Sequence, residues 1–150
     1  MKAADQFHVG IVVDDLDTVL AEMAELLGYE WCTQISVETP VLLPDGETSL
    51  GLKFAYSRTT PRVEVIQSIP GTLWIPAPQS GLHHLGYWSD DVAADAKRLT
   101  SQGYASEAAG LRPDGEQIWA YHRGPGRPRI ELVSRQLQPG LEQCWGSTSP

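Results

Sequence analysis

The sequence HVGIVVDD at residues 8–15 is the most informative segment of the chain, because it returns as HLGYWSDD at residues 84–91. Three further segments recur in the same order, with separations that shrink along the chain: Gly28-Tyr29 as Gly103-Tyr104, PDGE at 44–47 as PDGE at 113–116, and PRVE at 61–64 as PRIE at 128–131. Any one match is weak, since PDG is a common turn sequence. Four matches in the same order indicate that the chain contains two copies of one module.

Each copy has the pattern of a βαβββ module. The apolar, β-branched run at 7–13 predicts a strand, and Asp14 or Asp15 can cap the helix that follows. Apolar residues at helical spacing predict one buried helix face, and Gly28 can end the helix: Leu16, Val19, Leu20, Met23, Leu26 and Leu27. Three strands follow, and the first two are joined at the PDGE turn.

The second copy repeats these signals. Val92, Ala96 and Leu99 form the apolar helix face, with Asp90 or Asp91 as the cap and Gly103 as the stop. We therefore expect a single domain at 1–150, with module 1 at about 6–67 and module 2 at about 81–134. Residues 68–80 form a linker rich in proline and glycine, and 135–150 form a C-terminal tail.

Composition excludes several classes of partner. The chain has 150 residues, with 11 basic and 19 acidic side chains and a net charge of −8, which argues against binding to nucleic acid or to an anionic membrane. The N-terminus lacks an apolar signal core, and no run approaches the length of a membrane span. Cys32 and Cys144 lie far apart without CxxC spacing, so we expect free thiols and a cytoplasmic location.

Strand alternation places the histidines on defined faces. His8 shares a face with Gly10, and His84 shares a face with Gly86. The repeat register selects His84, not its neighbour His83, as the equivalent of His8. The two glycines remove side-chain bulk beside each histidine, so we expect them to leave space for a bound ligand.

The last strand of each module carries a glutamate between apolar residues, Glu64 and Glu131. A carboxylate in such a strand is costly to bury unless it is paired, protonated or bound to a metal. A solvent-facing edge strand is the alternative for either glutamate, and a structural role is the alternative for either histidine. Because the four residues are equivalent under the repeat, a pseudo-twofold axis would bring them together, which favours a metal site.

These segments resemble the vicinal-oxygen-chelate superfamily, also called the glyoxalase, bleomycin-resistance and dioxygenase superfamily. The similarity covers about 7–134, and the segments that carry it are FHVGIVVDDLD, LLGYEW, RVEVIQ, GLHHLGYWSDD and RIELVS. The resemblance implies an α+β fold in which two βαβββ modules form a curled mixed sheet around a central metal site, with the helices outside.

The resemblance also implies a ligand set and a chemistry. Carried over position by position, the metal ligands are His8, Glu64, His84 and Glu131, which suit one divalent ion such as Zn, Ni, Co, Fe or Mn. This set resembles that of bacterial lactoylglutathione lyases, whereas methylmalonyl-CoA epimerases commonly have Gln at the position of Glu64. We expect proton transfer next to a metal-bound carbonyl of a small-molecule substrate, with Glu64 or Glu131 as the base.

Two alternative functions remain compatible with the sequence. An extradiol-type dioxygenase acting on a catechol-like substrate would use two histidines and one carboxylate on Fe(II), so the fourth ligand argues against it. A non-catalytic binding or resistance protein usually lacks the ligand set. Trp31, Tyr56, Trp88 and Trp119 are either cavity-lining or packing residues, and no segment is recognised as a glutathione or coenzyme A site.

We also expect a homodimer, because isolated βαβββ modules would expose open strand edges. The modules would pair either within one chain or by exchange between two chains. Trp145 in the tail would either seal the contact between subunits or fold back on its own subunit.

Overall fold

A computed structural model describes residues 1–146. Its elements follow the order βαβββ twice, as predicted. The first module contains β1 (Gln6–Val13), α1 (Leu16–Leu27), β2 (Ile35–Leu43), β3 (Gly46–Tyr56) and β4 (Val63–Gln67). The second module contains β5 (His84–Ser89), α2 (Val92–Ser101), β6 (Ala105–Leu111), β7 (Gln117–Arg123) and β8 (Ile130–Ser134). A third helix, α3 (Gln138–Gly146), follows.

The eight strands close into one barrel in the order β1-β4-β3-β2-β6-β7-β8-β5. Within each module the first and last strands are parallel, and the two modules meet twice through antiparallel pairs, β1 with β5 and β2 with β6. The expected α+β fold with a curled mixed sheet is confirmed, and the modules pair within one chain. The open strand edges that motivated a homodimer are not present in residues 1–146, because the pairing of β2 with β6 closes the sheet.

The helices cover the outside of the barrel and begin where the sequence predicts. The Asp15 side chain accepts a hydrogen bond from the Thr18 N–H to cap α1, and Gly28 ends the helix at a φ of 72°. Leu16 and Leu20 are buried, but Leu26 and Leu27 are 76 % and 68 % exposed. The predicted burial of these two residues is wrong, because the last turn of α1 lies beyond the cluster that packs beneath the helix.

The second helix buries its predicted face. Val92, Ala96 and Leu99 pack against Ala120 and Leu132 of the sheet. The Asp91 side chain caps α2, and the residue just past its end, Gly103, has a φ of 85°. The two helices therefore pack on the barrel through the apolar faces that the repeat predicts, apart from the last turn of α1.

The segment between the modules also contributes to the interior. Trp74 of this segment is 1 % exposed and packs among apolar residues of both modules inside the barrel: Val12, Val41, Leu52, Ile66, Ala108 and Tyr121. The linker therefore places an aromatic ring in the core as well as connecting the two modules.

The tail folds back on its own chain. Cys144 of α3 is joined to Cys32 by a disulfide, with 5.8 Å between the Cα atoms. The expectation of two free thiols is wrong, because tertiary folding brings these distant residues within bonding range. The expected cytoplasmic location rested in part on those thiols, so it loses that part of its support and stays a prediction.

Trp145 folds back on its own chain, which is one of the two arrangements expected for it. The guanidinium of Arg62 lies 3.8 Å from the centre of the Trp145 ring. The ring centres of Phe7 and Trp88 lie 6.1 and 6.4 Å from it.

Among the elements of residues 1–146, no helix has the length and apolar composition required to cross a bilayer.

Candidate metal centre

The structure brings His8, Glu64, His84 and Glu131 together inside the barrel. The two imidazole Nε2 atoms are 2.9 Å apart. Glu64 Oε2 lies 3.5 Å from His8 Nε2 and 3.2 Å from His84 Nε2, and Glu131 Oε2 lies 3.0 and 3.3 Å from the same two atoms. Four donor atoms from four strands therefore converge on one point.

Strand register explains this convergence. Gly10 on β1 pairs with Glu64 on β4 at one side and with His84 on β5 at the other. In the second module Gly86 pairs in the same way with Glu131 and with His8. Each glutamate is thus separated by one glycine from the histidine of the other module, and all four side chains project from the same level of the barrel.

The two glycines make room for the histidine rings. A Cβ atom at Gly10 would overlap the ring of His84, and one at Gly86 would overlap the ring of His8. The expectation that these glycines leave space for a bound ligand is therefore wrong: the histidine of the opposite module fills that space. Without Cβ atoms at these positions, the histidine and the glutamate can meet across the intervening strand.

All four side chains are buried, with exposed fractions of 1 to 5 %. Burial lowers the pKa of His8, but the carboxylates of Glu131 and Glu64 outweigh this effect and raise the pKa to about 9. Burial likewise opposes the charged form of Glu64, yet the two imidazoles hold the pKa of Glu64 below its usual range. The protonation state of each imidazole and carboxylate in the cluster therefore depends on the charge of the others.

The donor set fits a divalent metal ion. Two ligand atoms at about 2.1 Å from an ion lie roughly 3.0 Å apart in octahedral and roughly 3.4 Å apart in tetrahedral geometry, and the donor separations involving the histidines are 2.9 to 3.5 Å. Within residues 1–146 the Oε2 atoms of Glu64 and Glu131 receive no well-directed hydrogen bond. The buried cluster can therefore hold a metal ion, and two imidazoles with two carboxylates suit a borderline divalent ion.

His83 orients His84. His83 Nε2 lies 2.8 Å from the carbonyl oxygen of Leu73, and His83 Nδ1 lies 3.0 Å from His84 Nδ1. The carbonyl can only accept, so His83 Nε2 carries the proton. Burial lowers the pKa of His83 to about 4, so the ring is neutral and its Nδ1 accepts from His84. This assigns a proton to His84 Nδ1 and turns Nε2 toward the cluster, where burial lowers the pKa of His84 but Glu131 and Glu64 outweigh burial and raise it.

Two tyrosines flank the glutamates in a matching arrangement. Tyr56 on β3 pairs with Glu64, and Tyr121 on β7 pairs with Glu131. Burial, together with the negative charge of both carboxylates, raises the pKa of each tyrosine well above its usual value. Both phenols therefore stay protonated, and each can donate a hydrogen bond to its neighbouring glutamate.

A cavity of about 320 Å³ lies against the cluster. Glu64, Glu131 and the two tyrosines line it beside apolar walls, which include Leu52, Phe54, Ile66, Trp74, Trp119 and Val133. The C-terminal segment also lines the cavity, through Leu137, Gly140 and Leu141. The site therefore combines a polar point with a largely apolar chamber.

The sequence repeat predicted the converging cluster but not most of the residues that surround it. Tyr56 and Trp119 line the cavity, whereas Trp88 stacks on Phe7 with ring centres 3.7 Å apart and Trp31 donates a hydrogen bond to the Leu20 carbonyl oxygen. Tyr121 was detectable, since it precedes Glu131 on the neighbouring strand as Tyr56 precedes Glu64. The positions of His83, Trp74 and Leu141 depend on how the linker and tail fold back.

One protein-family model matches most of the chain. The sequence model of the family described as Glyoxalase/Bleomycin resistance protein/Dioxygenase superfamily matches residues 7–122. No curated protein matches the sequence.

Solved structures with the same fold include methylmalonyl-CoA epimerases. A variant of the enzyme from Streptomyces coelicolor, in complex with 2-nitronate-propionyl-CoA, has a TM-score of 0.59 at 15 % identity, covering 87 % of this chain and 96 % of that chain. The enzyme from Mycobacterium tuberculosis has a TM-score of 0.57 at 20 % identity, covering 93 % and 97 %. A hypothetical protein from Bacillus halodurans has a TM-score of 0.58 at 16 % identity, covering 87 % and 93 %.

Proposed function

Because the chain belongs to the glyoxalase/bleomycin resistance protein/dioxygenase superfamily, we propose that it is a divalent-metal-dependent enzyme that catalyses proton transfer next to a carbonyl group. His8, Glu64, His84 and Glu131 would hold one ion such as Zn, Ni, Co, Fe or Mn. The observation that carries this proposal is the convergence of four buried donor atoms, two of them carboxylate oxygens without well-directed hydrogen bonds in the described residues.

Each residue of the site has its own role in the proposed reaction. When bound, the ion supplies the positive charge that makes a C–H bond next to a carbonyl acidic. Glu64 or Glu131 accepts the proton from that carbon and returns it, which requires the carboxylate to reach the substrate in the cavity. Tyr56 and Tyr121 stay protonated beside these carboxylates and orient them. His83 holds the His84 ring so that its Nε2 faces the site.

Redox-neutral chemistry is favoured over oxygen chemistry by the number of ligands. Four protein donors occupy more of an ion's coordination sphere than the two histidines and one carboxylate typical of Fe(II) oxygenases. The reaction class is then an isomerase, an epimerase or a glyoxalase-type lyase. Structural neighbours that are methylmalonyl-CoA epimerases add support for this class, although their sequence identities of 15 to 20 % leave the substrate open.

Metal content is the first measurement. Elemental analysis of the purified protein should find one divalent ion per chain, and Glu64→Gln and Glu131→Gln should each lower that content or the affinity for the ion. Glu38→Gln is the matched control, because Glu38 is an exposed strand glutamate outside the cluster. Wild-type and Glu38→Gln protein should bind the ion equally.

Isotope exchange tests the chemistry. In D₂O the metal-loaded protein should introduce deuterium next to the carbonyl of a substrate drawn from 2-oxoaldehyde–thiol adducts, acyl-CoA thioesters and other carbonyl compounds. Replacing the glutamate that acts as base by Gln should lower exchange by roughly 100-fold or more, with a smaller effect on substrate binding. Oxygen consumption with a catechol and Fe(II), without such exchange, would instead establish the dioxygenase alternative.

A further inference from the structure

We propose that the substrate is a compact carbonyl compound with an apolar, ring-bearing body, and not a coenzyme A or glutathione conjugate. The inference rests on the proposed function, since it assigns a substrate class to the same site. It comes from three features of the cavity: the charges on its walls, the aromatic groups that form one side, and the segment that covers it.

No cationic side chain of residues 1–146 lines the central cavity. Among the described residues that line it, the charged ones are Glu64 and Glu131, whose two negative charges would offset those of a divalent ion. A further anionic group on the substrate would therefore be buried without a partner, which costs several kcal/mol. Arg58 lines a neighbouring cavity that shares Ile35, Tyr56, Gly140 and Leu141 with the central one, but it is not part of the central wall.

The charge of the whole chain acts in the same direction. Coenzyme A carries several phosphate charges and glutathione carries two carboxylates, whereas this chain has a net charge of −8. A negative surface repels a polyanionic ligand over a distance of about one Debye length, roughly 8–10 Å at physiological salt. The net charge, together with the cavity walls formed by residues 1–146, therefore disfavours the binding of such conjugates.

Aromatic rings form one side of the chamber. Trp74 lies nearly perpendicular to both Trp119 and Tyr121, with ring centres 5.9 and 5.7 Å apart. Trp119 and Tyr121 are also 5.7 Å apart. Such edge-to-face groups present both ring faces and ring edges to a ligand, which favours a planar ring over a flexible charged chain.

The C-terminal segment limits the size of the ligand. Leu137 and Leu141 of this segment line the cavity, and the volume of about 320 Å³ is at the lower end of small-molecule sites. Cys144 joins α3 to Cys32 and so holds this cover in place. A compact body fits beneath the cover without displacing it.

Hydroxypyranones provide matched probes, because they share one pair of chelating oxygens. We expect metal-loaded protein to bind 3-hydroxyflavone at least roughly tenfold more tightly than maltol, whose methyl group buries little area. Comenic acid, which carries a carboxylate on the same ring, should bind at least roughly tenfold more weakly than maltol. Isothermal titration calorimetry measures all three, with methylmalonyl-CoA as the conjugate for comparison.

A positive charge placed at the cavity edge tests whether the charge of the cavity wall is what disfavours anionic ligands. Ile35 lines the cavity and is 37 % exposed, so Ile35→Arg should fold and should strengthen the binding of comenic acid relative to maltol. Val37→Arg is the matched control, because Val37 lies on the same strand, is 43 % exposed and does not line the cavity. It should leave the preference unchanged.

Flavone lacks the chelating hydroxyl group of 3-hydroxyflavone. Comparing the affinities of these two compounds therefore tests the metal site separately from the apolar cavity. Binding of flavone and 3-hydroxyflavone with equal affinity, with or without metal, would support the apolar cavity and contradict the metal site. Tighter binding of comenic acid or methylmalonyl-CoA than of 3-hydroxyflavone by metal-loaded protein would overturn the apolar substrate and leave the metal site standing. Dependence of comenic acid binding on Arg58 in an Arg58→Ala variant would also overturn it.

Discussion

At the scale of single residues, His83 and His84 show how the same residue type takes two roles. His84 offers Nε2 to the cluster, while His83 lies between the His84 ring and the Leu73 carbonyl oxygen. His8, the equivalent of His84, has a buried Nδ1 without a hydrogen-bond partner in residues 1–146. The pseudo-symmetry of the four donors therefore does not extend to the groups that orient them.

Replacement of His83 should weaken metal binding without removing a donor atom. His83→Leu removes the acceptor for His84 Nδ1–H, so we expect the affinity for the ion to fall roughly 10- to 100-fold. His83→Gln retains an acceptor and a donor and should recover part of the loss. Competition with a chelating dye measures the affinity of each variant.

His122→Leu provides the control for loss of a buried imidazole. His122 is 1 % exposed, like the cluster histidines, but lies outside the four-residue cluster. This variant should bind the ion with wild-type affinity. Equal losses in the His83 and His122 variants would show that the effect comes from general destabilisation, and not from the orientation of His84.

At the scale of elements, α3 is the part of the chain whose position depends most on distant contacts. None of its residues is buried, yet it covers the cavity through Gly140 and Leu141 and is joined to the segment after α1 by the disulfide. Its packing on the barrel involves the Trp145 ring, which lies against Arg62. Such a helix has little stability of its own, because nine residues make few internal hydrogen bonds.

Breaking the disulfide should release α3 while the barrel stays folded. We expect Cys144→Ser and Cys32→Ser to give the same result: faster proteolysis within 135–146 and weaker binding of 3-hydroxyflavone, because the cover no longer holds Leu137 and Leu141 in place. Limited proteolysis with mass spectrometry locates the cleavage. Two titratable thiols in the native, unreduced protein, with unchanged proteolysis in both variants, would contradict this prediction.

At the scale of the whole molecule, the barrel closes because each module supplies half of it. The pairing of β1 with β5 joins the modules at the site, and Val41 and Leu42 of β2 pair with Gly110 and Ala109 of β6 at the opposite side. Residues 1–146 therefore complete the four-residue cluster without a second chain. Edge-to-edge strand pairing is not available to stabilise a dimer of this barrel.

The homodimer stays a prediction, and it now requires contact between side chains on the outer surface. Exposed apolar residues available for such a contact include Leu26, Leu27, Val37, Leu42 and Ile75. Light scattering at micromolar concentration should give twice the chain mass of 16.4 kDa. A mass equal to that of one chain would contradict the dimer, without affecting the site.

The internal repeat was enough to predict the two modules and the four converging residues. Both follow from local rules, since side chains alternate along a strand and the repeat transfers the position of His8 to His84 and that of Glu64 to Glu131. The sequence predicted a cap at Asp14 or Asp15 and at Asp90 or Asp91, and the structure shows Asp15 and Asp91. Caps can be predicted in this way because capping depends on residues three positions apart.

The surroundings of the site, in contrast, depend on contacts between residues that are distant in sequence. Gly10 accommodates the His84 ring because β1 and β5 pair in one particular register, and no local pattern encodes that pairing. Cys32 and Cys144 are 112 residues apart in sequence, and their Cα atoms come within 5.8 Å only after α3 has folded back on the barrel. Contacts of this kind depend on the packing of the complete chain, which local propensity does not specify.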